Sequence, residues 1–164
     1  ITLVIGDILA VILMKMKNFK SKDFGENHPG GRLGKNLNLK IQDVMKKGRN
    51  IPIIKNNKML KDALIEMTKK NMGFVIIANQ NNKAVGFFTD GDLRRSINKY
   101  TNIHKTPIDK IMTKKFLSCN ENNYALETFN MMNSKKINSL PVLDNKNKII
   151  GAINMHNLID AGVS

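Results

Sequence analysis

This chain of 164 residues is poor in acid, in aromatic rings and in cysteine. Cys119 is its single cysteine, so no internal disulfide forms, and the cytoplasm, where thiols stay reduced, is the compartment expected. Tryptophan is absent. The two tyrosines and seven phenylalanines fall mostly inside apolar patterns, which leaves no platform on which bases could stack. Thirteen Asp and Glu face 27 Lys and Arg, a formal charge of +14. That excess raises nucleic acid or an anionic membrane as partners. The lysines are scattered instead of clustered, so neither partner is expected. No metal site is read from the sequence. Long apolar runs are also missing: residues 1–16 are mostly apolar but too short for a bilayer and broken by Gly6-Asp7. Lys15 and Lys17 follow that run, whereas a secretory signal carries its positive charge in front. A buried helix is the reading of this segment, and a chain that opens on isoleucine reads as a fragment of a longer protein.

What the chain has is an internal repeat. Shifting residues 60–95 forward by 65 positions lays them on 125–160 without a gap. Met67, Lys70, Asn82, Lys83, Gly86 and Leu93 then meet Met132, Lys135, Asn147, Lys148, Gly151 and Leu158. Leu60, Ala63, Leu64 and Met67 form the i, i+3, i+4, i+7 stripe of a helix with one buried face, and Ala125, Thr128, Phe129 and Met132 repeat it. Two short strands follow each stripe, at 74–78 and 84–88 and again at 140–143 and 149–153. Asn-rich and Lys-rich turns at 80–83 and 145–148 make each pair a hairpin. Residues 90–97 and 156–161 read as closing helices. Each copy also has a prelude, Ile41-Gln42-Asp43-Val44-Met45 and Ile108-Asp109-Lys110-Ile111-Met112.

At the end of the first hairpin, Gly86-Phe87-Phe88-Thr89-Asp90-Gly91-Asp92-Leu93 takes a strand into a helix and brings a hydroxyl and carboxylates to one edge. A helix N-terminus offers N–H groups to a phosphate, and an aspartate accepts both hydroxyls of a ribose, so Thr89 and Asp92 are candidate nucleotide-binding residues. The competing use, and the commoner one, is that Thr89 and Asp90 cap the helix. The second copy carries Asn154 and Asn157 where the first has Thr89 and Asp92, so any such site is expected to be single.

The prelude ending in methionine, the helix, and the hairpin closing on Gly-h-h-Thr-x-x-Asp-Leu (h, apolar) resemble the cystathionine-beta-synthase (CBS) domain over about residues 41–162. The resemblance implies an α+β fold: a tandem pair of β-α-β-β-α repeats related by a pseudo-two-fold, with clefts that often take adenosine nucleotides. Further upstream, Gly6-Asp7-Ile8-Leu9-Ala10-Val11, Phe19, Asp23-Phe24 and His28-Pro29-Gly30-Gly31-Arg32-Leu33-Gly34-Lys35 are similar to the end of a sugar isomerase (SIS) α/β domain. With Phe88 to Arg95 and Met155 to Gly162, the whole chain resembles the D-arabinose 5-phosphate isomerase family. The division this implies is 1–40 for the SIS remnant, 41–102 for the first CBS domain and 103–164 for the second.

That family interconverts D-ribulose 5-phosphate and D-arabinose 5-phosphate on the way to the Kdo sugar of lipopolysaccharide. The resemblance makes His28 the catalytic residue of this segment, since an aldose–ketose isomerisation through an enediol needs a group that takes and returns a proton near neutral pH. His104 and His156 have no such support. The phosphate-binding loop and the remaining acid–base groups of that family lie upstream of the segment present, so the chain by itself is expected to be inactive. The implied partners are a sugar-phosphate substrate in the parent protein and further copies of itself. No cofactor is required, and an adenosine nucleotide or sugar nucleotide is the implied effector. A free-standing CBS pair that binds an adenosine nucleotide through Thr89 and Asp92 is the alternative.

Overall fold

The computed structural model describes residues 2–19, 23, 38–97, 102 and 104–163, and in it the repeat becomes two α+β units that share their cores. The chain enters through helix α1 (Thr2–Met16) and a short prelude helix α2 (Ile41–Val44). The first unit is β1 (Ile53–Lys55), α3 (Leu60–Lys70), β2 (Phe74–Ala78), β3 (Ala84–Thr89) and α4 (Asp90–Ile97). The second is α5 (Ala125–Ser134), β4 (Ser139–Leu143), β5 (Ile149–Asn154) and α6 (Met155–Asp160), after a 3-10 prelude at Ile108–Lys110. Among the described residues no helix is long and apolar enough to cross a membrane.

Helix α1 forms where the apolar run predicts, but none of its residues is buried. The expectation of a buried helix is corrected on that point, with Ile8 54% and Leu13 52% exposed. Asp7 and Lys15 are its only charges, so it is apolar on every side and needs several neighbours. The paired units complete their cores without it.

Strand β1 runs parallel to β2, which pairs antiparallel with β3. In the second unit β4 and β5 pair antiparallel, and a single bridge stands in for the first strand: Cys119 N–H donates to Pro141 O (3.1 Å) and Leu143 N–H to Cys119 O (2.9 Å). Burial pushes the Cys119 thiol up to about 12, so it stays protonated and serves as an apolar plug. Both hairpins slip register at the same place, between Ile77 and Ala78 and between Val142 and Leu143. Asn82 and Asn147 sit at φ 59° and 60°, a conformation that asparagine tolerates better than most residues. Asn71 and Lys136 repeat it at the ends of α3 and α5 (φ 52° and 54°). For a lysine the left-handed region costs roughly 1–2 kcal/mol.

The two preludes change places. Ile41 N–H donates to Asn123 O (2.9 Å) and Ala125 N–H to Leu39 O (2.8 Å), while Ile108 N–H donates to Lys58 O (3.0 Å) and Leu60 N–H to Thr106 O (2.8 Å). Lys46 exchanges both backbone bonds with Ala152 (2.8 and 3.1 Å), and Thr113 does so with Phe87 (2.8 and 2.9 Å). Each prelude is therefore stitched to the other repeat. Its methionine lies over that repeat's strand glycine: a Cβ on Gly86 would stand 2.2 Å from Met112 Sδ, and one on Gly151 would stand 2.4 Å from Met45 Sδ. The cores follow this exchange. Ile41 and Met45 pack with Met132, Leu140, Ile153 and Leu158, and Ile108 packs with Leu60, Met67, Val75 and Phe88. A third cluster joins the sheets, with Phe74, Ile76 and Phe87 against Leu143, Ile149 and Ala152. Lys83 and Lys148 meet in a bridge where the two hairpin turns touch.

The Asp144 carboxylate accepts from Lys148 N–H and Lys146 N–H (both 2.8 Å). These bonds, Lys148 first, hold it below the ordinary 3.8. Because the folded value lies below the unfolded one, the stabilisation is complete above the unfolded value and is lost as pH falls through the folded one. Asn79 plays the same part in the first unit, accepting from Asn81 N–H and Lys83 N–H (both 3.0 Å), without titrating. Asp144→Asn should leave the melting temperature near neutral pH unchanged and shrink its fall on acidification. An acid limb identical to wild type would remove Asp144 from the account. For the crossed contacts, Gly86→Ala and Gly151→Ala should each lower the unfolding free energy in urea by about 1–3 kcal/mol. Met112→Ala should cost less in the Gly86→Ala background than in wild type. Strictly additive losses would show that the close approach is not what the glycine serves.

Candidate functional site

A cleft of about 850 Å³ opens between the units, within the roughly 300–1,000 Å³ usual for ligand sites. The first unit supplies the start of α4, with Thr89, Asp90, Asp92 and Arg95. The second supplies the turn into β4, with Lys136 and Asn138, and the turn into α6, with Asn154 and His156. Thr113, Lys115 and Phe116 come from the chain that leaves the second prelude. Phe87 and Phe116 line part of it with their ring centroids 6.0 Å apart, and Phe74 continues the stack at 5.0 Å from Phe87.

Thr89 and Asp92 are both in this cleft, and they hold each other. Thr89 N–H and Oγ1–H donate to Asp92 Oδ2 (2.9 and 2.8 Å), and Asp92 N–H donates back to Thr89 Oγ1 (3.3 Å). This is a reciprocal cap. The helix starts at Asp90, as the reading of residues 90–97 as a helix has it, and the cap is made by Thr89 with Asp92. The other carboxylate oxygen of Asp92 accepts from Arg95 Nη2 (2.9 Å) and Thr113 Oγ1 (3.2 Å). Its side chain is 12% exposed against 74% for Arg95.

The second unit builds the same cap from uncharged groups. Asn157 N–H donates to Asn154 Oδ1 (2.8 Å) and Asn154 N–H to Asn157 Oδ1 (3.3 Å). Capping is thus common to both copies, and the carboxylate is what only the first has. The two walls differ in sign: Asp90 and Asp92 outnumber Arg95 on one, Lys136 stands beside the imidazole of His156 on the other, and Lys115 also lines the cleft. His156 also faces Asp160 (3.6 Å). Sequence reasoning passed over Lys136 and Lys115 and set His156 aside, because their approach depends on how the two units pack. A lysine aligned with Asn71 at a helix end was the one available sign.

His28, the candidate catalytic residue, lies outside the described residues. His104 is an exposed turn residue. Among the described residues no group of three His, Cys, Asp or Glu is placed to hold a metal.

The CBS domain family matches the chain twice, over residues 41–99 and 108–164. Over 163 residues, 99% of the chain, the sequence is 39% identical to Arabinose 5-phosphate isomerase KdsD of Pseudomonas aeruginosa and covers 50% of that protein. The chain spans about half the length of the curated relatives it matches. Among solved structures, CBSX2 in complex with AMP aligns with a TM-score of 0.67 at 22% identity, covering 76% of this chain and 96% of that one. A CBS domain pair in complex with 5′-methylthioadenosine and S-adenosyl-L-methionine aligns with a TM-score of 0.65 at 20% identity, covering 74% and 93%. At those identities the likeness is one of fold.

The two caps predict how Asp92 divides its work. Asp92→Asn should keep the cap, as Asn157 does, and lower stability by less than about 1 kcal/mol. Asp92→Ala removes the acceptor for Thr89 N–H and should cost about 1–2 kcal/mol in thermal denaturation. Equal losses in both variants would assign the stabilisation to the charge.

Proposed function

Because the chain belongs to the CBS domain family and carries that domain twice, we propose that it is the regulatory portion of an arabinose 5-phosphate isomerase. The observation that carries this reading is the likeness to that isomerase, 39% identity along 99% of the chain, α1 and the His28 segment included. The parent protein interconverts D-ribulose 5-phosphate and D-arabinose 5-phosphate in the cytoplasm, and residues 1–40 are the end of its SIS domain. His28 moves the proton between the two carbons of the enediol. This chain alone is inactive, since positioning the sugar phosphate depends on groups outside it.

Within the parent, the CBS pair senses an effector in the cleft between its units and acts as a homo-oligomerising module. An adenosine nucleotide suits that cleft. Phe116, Leu117 and Ile137 offer an apolar bed for a base, and polar groups of both signs stand around it for a ribose and a phosphate. The apolar α1, none of whose residues is buried, supports a larger parent too, since a helix apolar on every side is stable only when covered.

An isomerase assay on the full-length gene product with D-ribulose 5-phosphate tests this. Wild type should turn over, and His28→Ala should lose about a hundredfold or more in kcat while keeping its fold. A wild-type protein without isomerase activity would refute the reading, and full activity in the variant would remove His28 from the mechanism.

A further inference from the structure

We infer that the cleft accepts its ligand in one orientation only, with the anionic group against Lys136 on the second unit and not at the start of α4. The inference rests on the reading of the cleft as a nucleotide site and adds the direction in which the nucleotide lies.

The first wall is unsuited to a phosphate. Asp90 and Asp92 both stand in the first turn of α4, so an incoming anion would meet two carboxylates. The N–H groups there are also engaged: Asp90 N–H donates to Gly73 O (3.2 Å) and Asp92 N–H to Thr89 Oγ1 (3.3 Å). Among the described residues Arg95 is the one cation lining that wall, and its Nη2 is held by Asp92 at 2.9 Å. The two oxygens of Asp92 already accept four hydrogen bonds, so what this wall offers is the Asp90 carboxylate, an acceptor that fits the hydroxyls of a sugar or the amino group of a base.

The second wall is the reverse. The cap residues are Asn154 and Asn157, with no carboxylate at either position. Lys136 lines the cleft from the end of α5 and Lys115 is also in the lining, while His156 lines it and faces the Asp160 carboxylate at 3.6 Å. Lys136 holds φ 54° where the aligned residue of the first unit is Asn71 at φ 52°. Asparagine adopts this backbone readily and lysine does not. The second unit therefore carries a cation at a position where the fold by itself favours the residue found in the first.

The experiment is isothermal titration of the full-length gene product with AMP and with adenosine, at low ionic strength, for wild type, Lys136→Asn and Arg95→Ala. Wild type should bind AMP more tightly than adenosine. Lys136→Asn should weaken AMP about tenfold, the scale of one charge-assisted contact, and leave adenosine unchanged. Its melting temperature without ligand should hold or rise, because asparagine relieves the strained backbone, so that a loss of AMP binding is not a loss of fold. The orientation is overturned if Lys136→Asn weakens both ligands equally or neither, or if Arg95→Ala abolishes the preference for AMP while Lys136→Asn keeps it. Failure of wild type to bind either ligand would instead overturn the nucleotide reading of the cleft and this orientation with it.

Discussion

The placing of each prelude methionine over a glycine of the opposite repeat is the contact on which the rest of this structure depends. Met112 over Gly86 and Met45 over Gly151 are the same contact made twice, in opposite directions along the chain. A glycine inside a strand is normally a weakness, lacking a side chain to pack and free in the unfolded state. Here the missing Cβ is the space a thioether fills, and the adjacent backbone pairs, Lys46 with Ala152 and Thr113 with Phe87, hold the thioether in place. Both cores are closed by a segment from the neighbouring repeat. The cleft inherits the arrangement, since Thr113, which pairs with Phe87, also donates its hydroxyl to Asp92.

Duplication provides an internal control for which features are structural. Where two copies do the same thing with different residues, the shared part is the requirement of the fold. Thr89 with Asp92 and Asn154 with Asn157 share a reciprocal cap. Asn79 and Asp144 share a turn closed by one side-chain oxygen. Asn71 and Lys136 share a left-handed helix end. The remainder of each pair is chemistry the fold does not ask for: a carboxylate at Asp92, an ammonium at Lys136. Those two differences fall on facing walls of one cleft.

Much of the fold was legible in the sequence because its signals are local. The helix stripes at Leu60 and Ala125, the hairpins and their Asn turns all stand within a few residues of where periodicity and turn chemistry put them. The strand that shrinks to a bridge at Cys119 was not legible, because one backbone pairing leaves no periodic trace. Nor was the exchange of preludes: Ile41 and Ile108 are apolar whichever repeat they cover, and only backbone partners far along the chain decide. At the site, Thr89 and Asp92 were legible as a pair of polar groups at a strand–helix junction, while Lys136 and Lys115 come near them only through packing between units. The apolar run at the N-terminus announced a helix correctly and its surroundings incorrectly, since periodicity reports what a helix needs and not what is present.

Exchanged preludes also bear on how such a chain arises. A single repeat of this kind, made alone, would expose its methionine and leave its own strand glycine uncovered. Two separate copies would satisfy each other by trading arms, and that two-chain assembly is the geometry seen here with its chains joined end to end. The two repeats are interdependent, and losing one would strip the core of the other.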